Sequence, residues 1–115
     1  PKEFLPVEKQ NFKNVTFTES VSEAVKGSDL ISTDVWISMG DETESEKRIK
    51  AFENYQVNEN TLDQANSDVM FLHCLPAIKG QEISTTLLDD QRSRVWRQAE
   101  NRLHAQKGLL IELLN

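Results

Sequence analysis

The stretch that most constrains the fold is Val69-Met70-Phe71-Leu72-His73-Cys74-Leu75-Pro76. Four apolar residues run into a histidine and the chain's only cysteine, and a proline follows two residues later. This pattern reads as a buried strand that stops abruptly at a reactive side chain. Leu30 and Ile31 open a related strand, which gives way to Asp34-Val35-Trp36-Ile37-Ser38-Met39-Gly40. Ligands of open parallel sheets bind outside the carboxyl ends of the strands. The two strand ends are therefore expected to face one small-molecule site.

The segments around these strands supply the helices. Val15 to Thr18 reads as a short strand. Ser20-Val21-Ser22-Glu23 is a capping box, in which hydroxyl and carboxylate satisfy orphan N–H groups reciprocally. A short helix to Lys26 follows, with Gly27 suited to the position after its end. Helix between strands in so short a span gives a βαβ unit. Asp41 to Glu46 places acids ahead of Lys47, Arg48 and Lys50, the order a helix dipole favours. Ile49 with Phe52, and Ala51 with Tyr55, give that helix a buried side. Leu62 and Ala65 anchor a short helix within Asn58 to Ser67. Gly80 marks a turn, Ile83 to Leu88 a helical turn, and Arg94 to Trp96 a short strand. A last helix runs from about Gln98 to Leu114. Its stripe of Ala99, Leu103, Leu110 and Leu114 is expected to pack into the core. The alternative is packing on something outside the chain. No linker or repeat divides residues 1–115.

Composition narrows the function classes. The chain has 115 residues, 37% hydrophobic and 28% charged, enough for one small soluble domain. No run approaches the roughly 20 apolar residues of a membrane span, so no membrane role is expected. A net charge of -6 argues against nucleic-acid binding, because phosphate backbones need a basic face. One cysteine forms no internal disulfide, which points to a reducing, cytoplasmic setting. Asn14-Val15-Thr16 matches a glycosylation acceptor, a triplet that often arises by chance. The chain opens at Pro1 with no methionine, as a fragment or processed product would.

Five places carry candidate chemistry. Asp34, at a strand end, suits a substrate ammonium, although a turn-capping aspartate looks the same. Ser38, Met39 and Gly40 offer a hydroxyl and backbone N–H groups to a carboxylate, or form an ordinary turn. Cys74 is a nucleophile, a proton acceptor or a ligand contact, or else an inert buried thiol. His73 precedes it, but neighbours on a strand point to opposite faces, so adjacency does not make a dyad. Two histidines and one cysteine without regular spacing give no persuasive zinc site, so no metal and no cofactor are expected. Arg102, early in the last helix, suits a carbonyl or phosphate oxygen, or is a surface cation.

Taken together these segments resemble the ornithine carbamoyltransferases. Asp34 to Gly40 is similar to that family's ornithine loop and His73-Cys74-Leu75-Pro76 to its second signature. Ala99-Glu100-Asn101-Arg102 is similar to its third, and Tyr55-Gln56-Val57-Asn58 falls between the first two. The likeness is looser from Pro1 to Thr33. It implies an α/β fold: a Rossmann-like parallel sheet flanked by helices, here incomplete, as the C-terminal part of the ornithine-binding domain. It implies transfer of a carbamoyl group from carbamoyl phosphate to the δ-amine of L-ornithine, giving citrulline and phosphate. Asp34 would bind the α-ammonium, and Ser38 with Met39 the amino-acid end. Cys74, as the catalytic residue, would sit by the reacting δ-amine and help it lose its proton, with the Leu75 carbonyl and Arg102 on the carbamoyl group. A cis Leu75-Pro76 bond and a homotrimer of full-length chains are also implied.

The departures are as informative. The family's phosphate-binding Ser-Thr-Arg-Thr-Arg and His-Pro-x-Gln segments do not occur here. The expectation is thus a chain that needs the N-terminal part of the same enzyme and is inactive without it. Two other readings stay open: a carbamoyltransferase for another amine, such as putrescine or an acylated ornithine, and a non-catalytic amino-acid-binding module.

Overall fold

A computed structural model describes residues 13–37 and 45–114. Pro1 to Phe12 and Ser38 to Glu44 lie outside the described residues, as does Asn115. The elements run α1 (Val21–Val25), β1 (Leu30–Thr33), α2 (Ser45–Phe52), α3 (Glu59–Asp63), β2 (Met70–His73) and α4 (Val95–Leu114). Short 3-10 turns cover Glu53–Tyr55 and Leu87–Asp89.

The βαβ unit expected over residues 15–33 does not form, because its first strand is missing; the parallel pair is made instead by β1 and β2, with α2 and α3 in the crossover. β1 and β2 pair in parallel, with Leu30 opposite Met70, Ile31 opposite Phe71, Ser32 opposite Leu72 and Thr33 opposite His73. The register is consequential because both strands end at the same level. The residues that follow, Asp34 and Cys74, leave the sheet side by side. The period of two sends Ile31, Phe71 and His73 into the core. There Phe71 joins a cluster of Val25, Val57, Leu62, Val69, Ile83, Leu87 and Val95.

The strands are not buried on both faces, as the apolar run had implied. Leu30 and Met70, which are paired, remain 46% and 42% exposed. The described residues cover that face only in part. Hydrophobicity in the sequence marks a face for burial without naming what buries it.

Local chemistry explains the helix ends. The Ser20 hydroxyl accepts from the Glu23 N–H, as expected of an N-cap. The return half differs: Glu23 takes the Thr18 hydroxyl at 2.7 Å, and Thr18 in turn accepts from the Ser20 N–H. Thr18 therefore relays the box. This belongs to a cap and not to a strand, and no strand forms over Val15 to Thr18, where β-branched composition finds no pairing partner. Asn58 and Thr61 complete a reciprocal capping box on α3. Gly27 and Gly80 take φ +73° and +89°, left-handed values that glycine adopts without a Cβ penalty.

The C-terminal third departs most from expectation. Arg94 to Trp96 is not a strand. A single parallel bridge joins Ser93 to Phe71, with Phe71 N–H donating to the Arg92 carbonyl and Arg94 N–H to the Phe71 carbonyl. Helix α4 then starts at Val95, which is fully buried and plugs the core. Ile83 sits in bridges to Val57 and Lys79, and only Leu87–Asp89 is helical in that segment. The loop is fastened by Arg92, whose guanidinium grips both oxygens of Asp90 and reaches Asp63 at 2.7 Å. That grip holds the Asp90 carboxyl below its ordinary range. The stripe on α4 does not enter the core: Leu103, Leu110 and Leu114 are 59%, 56% and 82% exposed. On α2, Ile49 and Phe52 are half-buried only. Phe52 stacks on Trp36 with ring centroids 6.2 Å apart.

Candidate functional site

The site grows from the shared strand level. Asp34 is the first residue after β1 and Cys74 the first after β2. Both are exposed, whereas His73, one residue earlier, is 1% exposed. The two neighbours differ in burial, but the expected separation is incomplete, since an imidazole nitrogen still comes within 4.8 Å of the thiol sulfur. The Asp34 carboxylate caps its own turn by accepting the Val35 N–H at 2.7 Å.

Thiol and carboxylate act on each other. Hydrogen bonding between them, with the Val35 N–H, holds the Asp34 carboxyl below its ordinary value. The same hydrogen bond, desolvation and the nearby negative charge push the Cys74 thiol up. Arg102 pulls the thiol weakly the other way. So Cys74 is held protonated, as a donor to Asp34, and Asp34 is held ionised. Asp34→Asn is expected to remove the charge and move the midpoint of pH-dependent alkylation of Cys74 to lower pH. Iodoacetamide labelling rates across pH measure this, and an unchanged midpoint would show that Asp34 does not control the thiol.

Across from the cysteine, α4 closes a hollow of about 330 Å³ lined by Cys74, Gln98, Ala99, Asn101, Arg102 and Ala105. Arg102 and Cys74 share this space although 28 residues separate them (102 − 74). Gln98 brings this about: its side-chain oxygen accepts the His73 N–H at 3.0 Å. Gln98 lies one helical turn before Arg102. Leu75 follows with φ +59°, unusual for a residue with a side chain, and Leu75-Pro76 is cis as the resemblance implies. Ser38 and Met39, also expected at the site, lie outside the described residues.

Donor atoms of Asp34, His73 and Cys74 lie within 4.8 Å of one another, a clustering that sequence spacing did not reveal. Both His73 nitrogens are engaged, however. Nδ1 accepts the Leu75 N–H at 2.9 Å and Nε2 lies 3.2 Å from Glu82. A metal would have to break one of these bonds, so we read the group as a hydrogen-bonded unit. Sequence reasoning missed Glu82 and Gln98, since neither lies in a signature segment. No helix among the described residues is long and apolar enough to cross a membrane.

This arrangement has known relatives. The family profile described as aspartate/ornithine carbamoyltransferase, Asp/Orn binding domain, matches residues 3–113. The chain belongs to that family. The ornithine carbamoyltransferase of Psychrobacter cryohalolentis is 57% identical to this family member over 100 residues, covering 87% of the chain and 33% of the relative. The anabolic ornithine carbamoyltransferase of Pseudomonas aeruginosa is 64% identical over 92 residues, covering 80% of the chain and 30% of the relative. Among solved structures, the ornithine carbamoyltransferase of Pyrococcus furiosus superposes with a TM-score of 0.71 at 52% identity, over 78% of this chain and 29% of that one. The chain spans about a third of the length of the curated relatives it matches. Its two-stranded parallel sheet with helices is thus an incomplete α/β, Rossmann-like unit of a carbamoyltransferase domain.

Proposed function

We propose that residues 1–115 form the C-terminal, ornithine-binding part of an enzyme that carbamoylates the δ-amine of L-ornithine. The observation that carries this is the meeting of Asp34, Cys74 and the Arg102-bearing turn of α4 at one level of the sheet. An ionised Asp34 is the right partner for an α-ammonium. The δ-amine must be neutral to attack the carbamoyl carbon. Cys74 cannot accept that proton while it is a thiol, so it must first give up its own. The bound α-ammonium offsets the negative field of Asp34 and so favours release of the thiol proton to solvent, and the thiolate left behind accepts the δ-amine proton as the amine attacks the carbamoyl carbon. Arg102 supplies a donor for the carbamoyl oxygen as charge develops on it, and the Leu75 carbonyl accepts from the carbamoyl nitrogen. Ser38 and Met39 take the amino-acid end of ornithine.

Among the described residues, Arg102 is the one cation lining the hollow beside Cys74, too little to hold the phosphate of carbamoyl phosphate. In this reading the N-terminal part of the same enzyme supplies the rest, the assembly is a homotrimer in the cytoplasm, and residues 1–115 alone do not turn over substrate. The test is a citrulline assay on the full-length protein that carries this sequence. Carbamoyl phosphate and L-ornithine should give citrulline. Putrescine, which lacks the α-carboxylate, and N-acetylornithine, whose α-amine is acylated and uncharged, should each react at least about a hundredfold more slowly. Equal turnover of N-acetylornithine would overturn the assignment of Asp34, and equal turnover of putrescine that of Ser38 and Met39. Loss of turnover with all three amines would favour a binding module.

A further inference from the structure

His73 takes no part in the proposed chemistry, yet it is the most connected residue at the site. Its ring is buried under the end of β2. Nδ1 accepts the Leu75 N–H, so the ring proton sits on Nε2, which lies 3.2 Å from Oε1 of Glu82. Glu82 is fully buried, and the same oxygen accepts the Ile78 N–H at 2.6 Å. The backbone N–H of His73 donates to Gln98 on α4. One residue thus ties together the Leu75 peptide, the far side of the 74–82 loop and the helix that carries Arg102.

Leu75 needs such support. At φ +59° a leucine is in the left-handed region, and it stays there only where its surroundings over-determine it. The Leu75 N–H is held at its amide end by the imidazole, and Glu82 fixes which nitrogen of the imidazole does the holding. A carboxylate that orients an imidazole is a familiar arrangement, but here the imidazole nitrogen beside the thiol and Asp34 is already engaged by a peptide group, the Leu75 N–H.

We propose that the buried His73–Glu82 pair is a positioning device: it sets the conformation of Leu75, and so the placing of its carbonyl beside Cys74, while His73 locks Gln98 and the Arg102 turn to the same level. This rests on the reading of the site as a carbamoyl-transfer site. His73 is a positioning residue and exchanges no proton with the substrate.

Two substitutions in the full-length protein separate this from a plain packing role. His73→Asn puts an amide oxygen near the place of Nδ1 and keeps an acceptor for Leu75. His73→Gln reaches toward Glu82 and leaves the Leu75 N–H without an acceptor. His73→Gln should lower kcat by about 30- to 100-fold with KM for ornithine within about threefold, the scale of an ångström-sized misplacement. It should also speed hydrogen exchange at the Leu75 amide by at least about tenfold. His73→Asn should keep kcat within about fivefold and keep the amide protected. Equal losses in the two variants, or an unchanged Leu75 exchange rate in His73→Gln, would overturn the proposal. If one variant fails to fold, Glu82→Gln decides between the same two outcomes: the Leu75 amide must lose protection through a residue that never touches it. The exchange measurement does not depend on turnover. A wild-type protein that makes no citrulline but protects Leu75 through His73 would therefore sink the reaction and leave the device standing.

Discussion

Asp34→Ala is expected to lower kcat/KM for L-ornithine by about a hundred- to a thousandfold. The strand register is the reason. Thr33 and His73 are paired, so the next residues, Asp34 and Cys74, emerge together. The Asp34 carboxyl is held ionised by the thiol and by the Val35 N–H. Asp34 is exposed here, and in the proposed reading bound substrate covers it; truncating one partner of a charge pair so covered costs roughly 2–5 kcal/mol, and each 1.4 kcal/mol is tenfold. In the proposed reading Asp34 meets the α-ammonium in ground and transition states alike, so most of the loss is expected in KM. A smaller loss in kcat follows from releasing Cys74 from its carboxylate. Asp34→Asn keeps the shape without the charge and should fall between. Steady-state kinetics on the full-length protein check this. A variant with normal KM would show that Asp34 does no more than cap its turn.

The second large effect is on stability. Phe71→Ala removes a fully buried ring from the middle of β2, where it pairs with Ile31 and bridges to Ser93. Such truncations cost about 3–5 kcal/mol, against the roughly 5–15 kcal/mol by which typical domains are stable. The strand amides of β2 in the full-length protein should lose protection against hydrogen exchange by a comparable amount. Since β2 sets the level of Cys74, activity should fall with stability. A loss below about 1 kcal/mol would mean that the core does not rest on Phe71.

Much of this was legible in the residues. The two strands, their parallel pairing, the cap at Ser20 and the turn at Gly80 follow from short-range chemistry: branched and apolar runs, a hydroxyl before a helix, a glycine where φ is positive. The candidate site was legible as a set of signatures, and the register explains why Asp34 and Cys74 belong together. Other features depended on distance. The stripe on α4 announces that a face wants cover, but periodicity carries no information on what supplies it, and Leu103 and Leu110 stay exposed. Arg94 looked like a strand residue because Ser93 does bridge to Phe71, yet the pairing stops at that one bridge before Val95 turns into the core. His73 and Glu82 are nine residues apart across a loop, and no periodicity connects them. Only the fold shows that a buried carboxylate stands behind the histidine.

The central claim is that this chain carries the ornithine half of a carbamoyl-transfer site and depends on another part of the protein for the phosphate half. The most direct measurement assays citrulline formation by the full-length protein and by the isolated residues 1–115 side by side, with carbamoyl phosphate and L-ornithine. Turnover is predicted for the full-length protein and none for the isolated chain. Turnover by residues 1–115 alone, or a folded full-length protein that forms no citrulline, would contradict the claim.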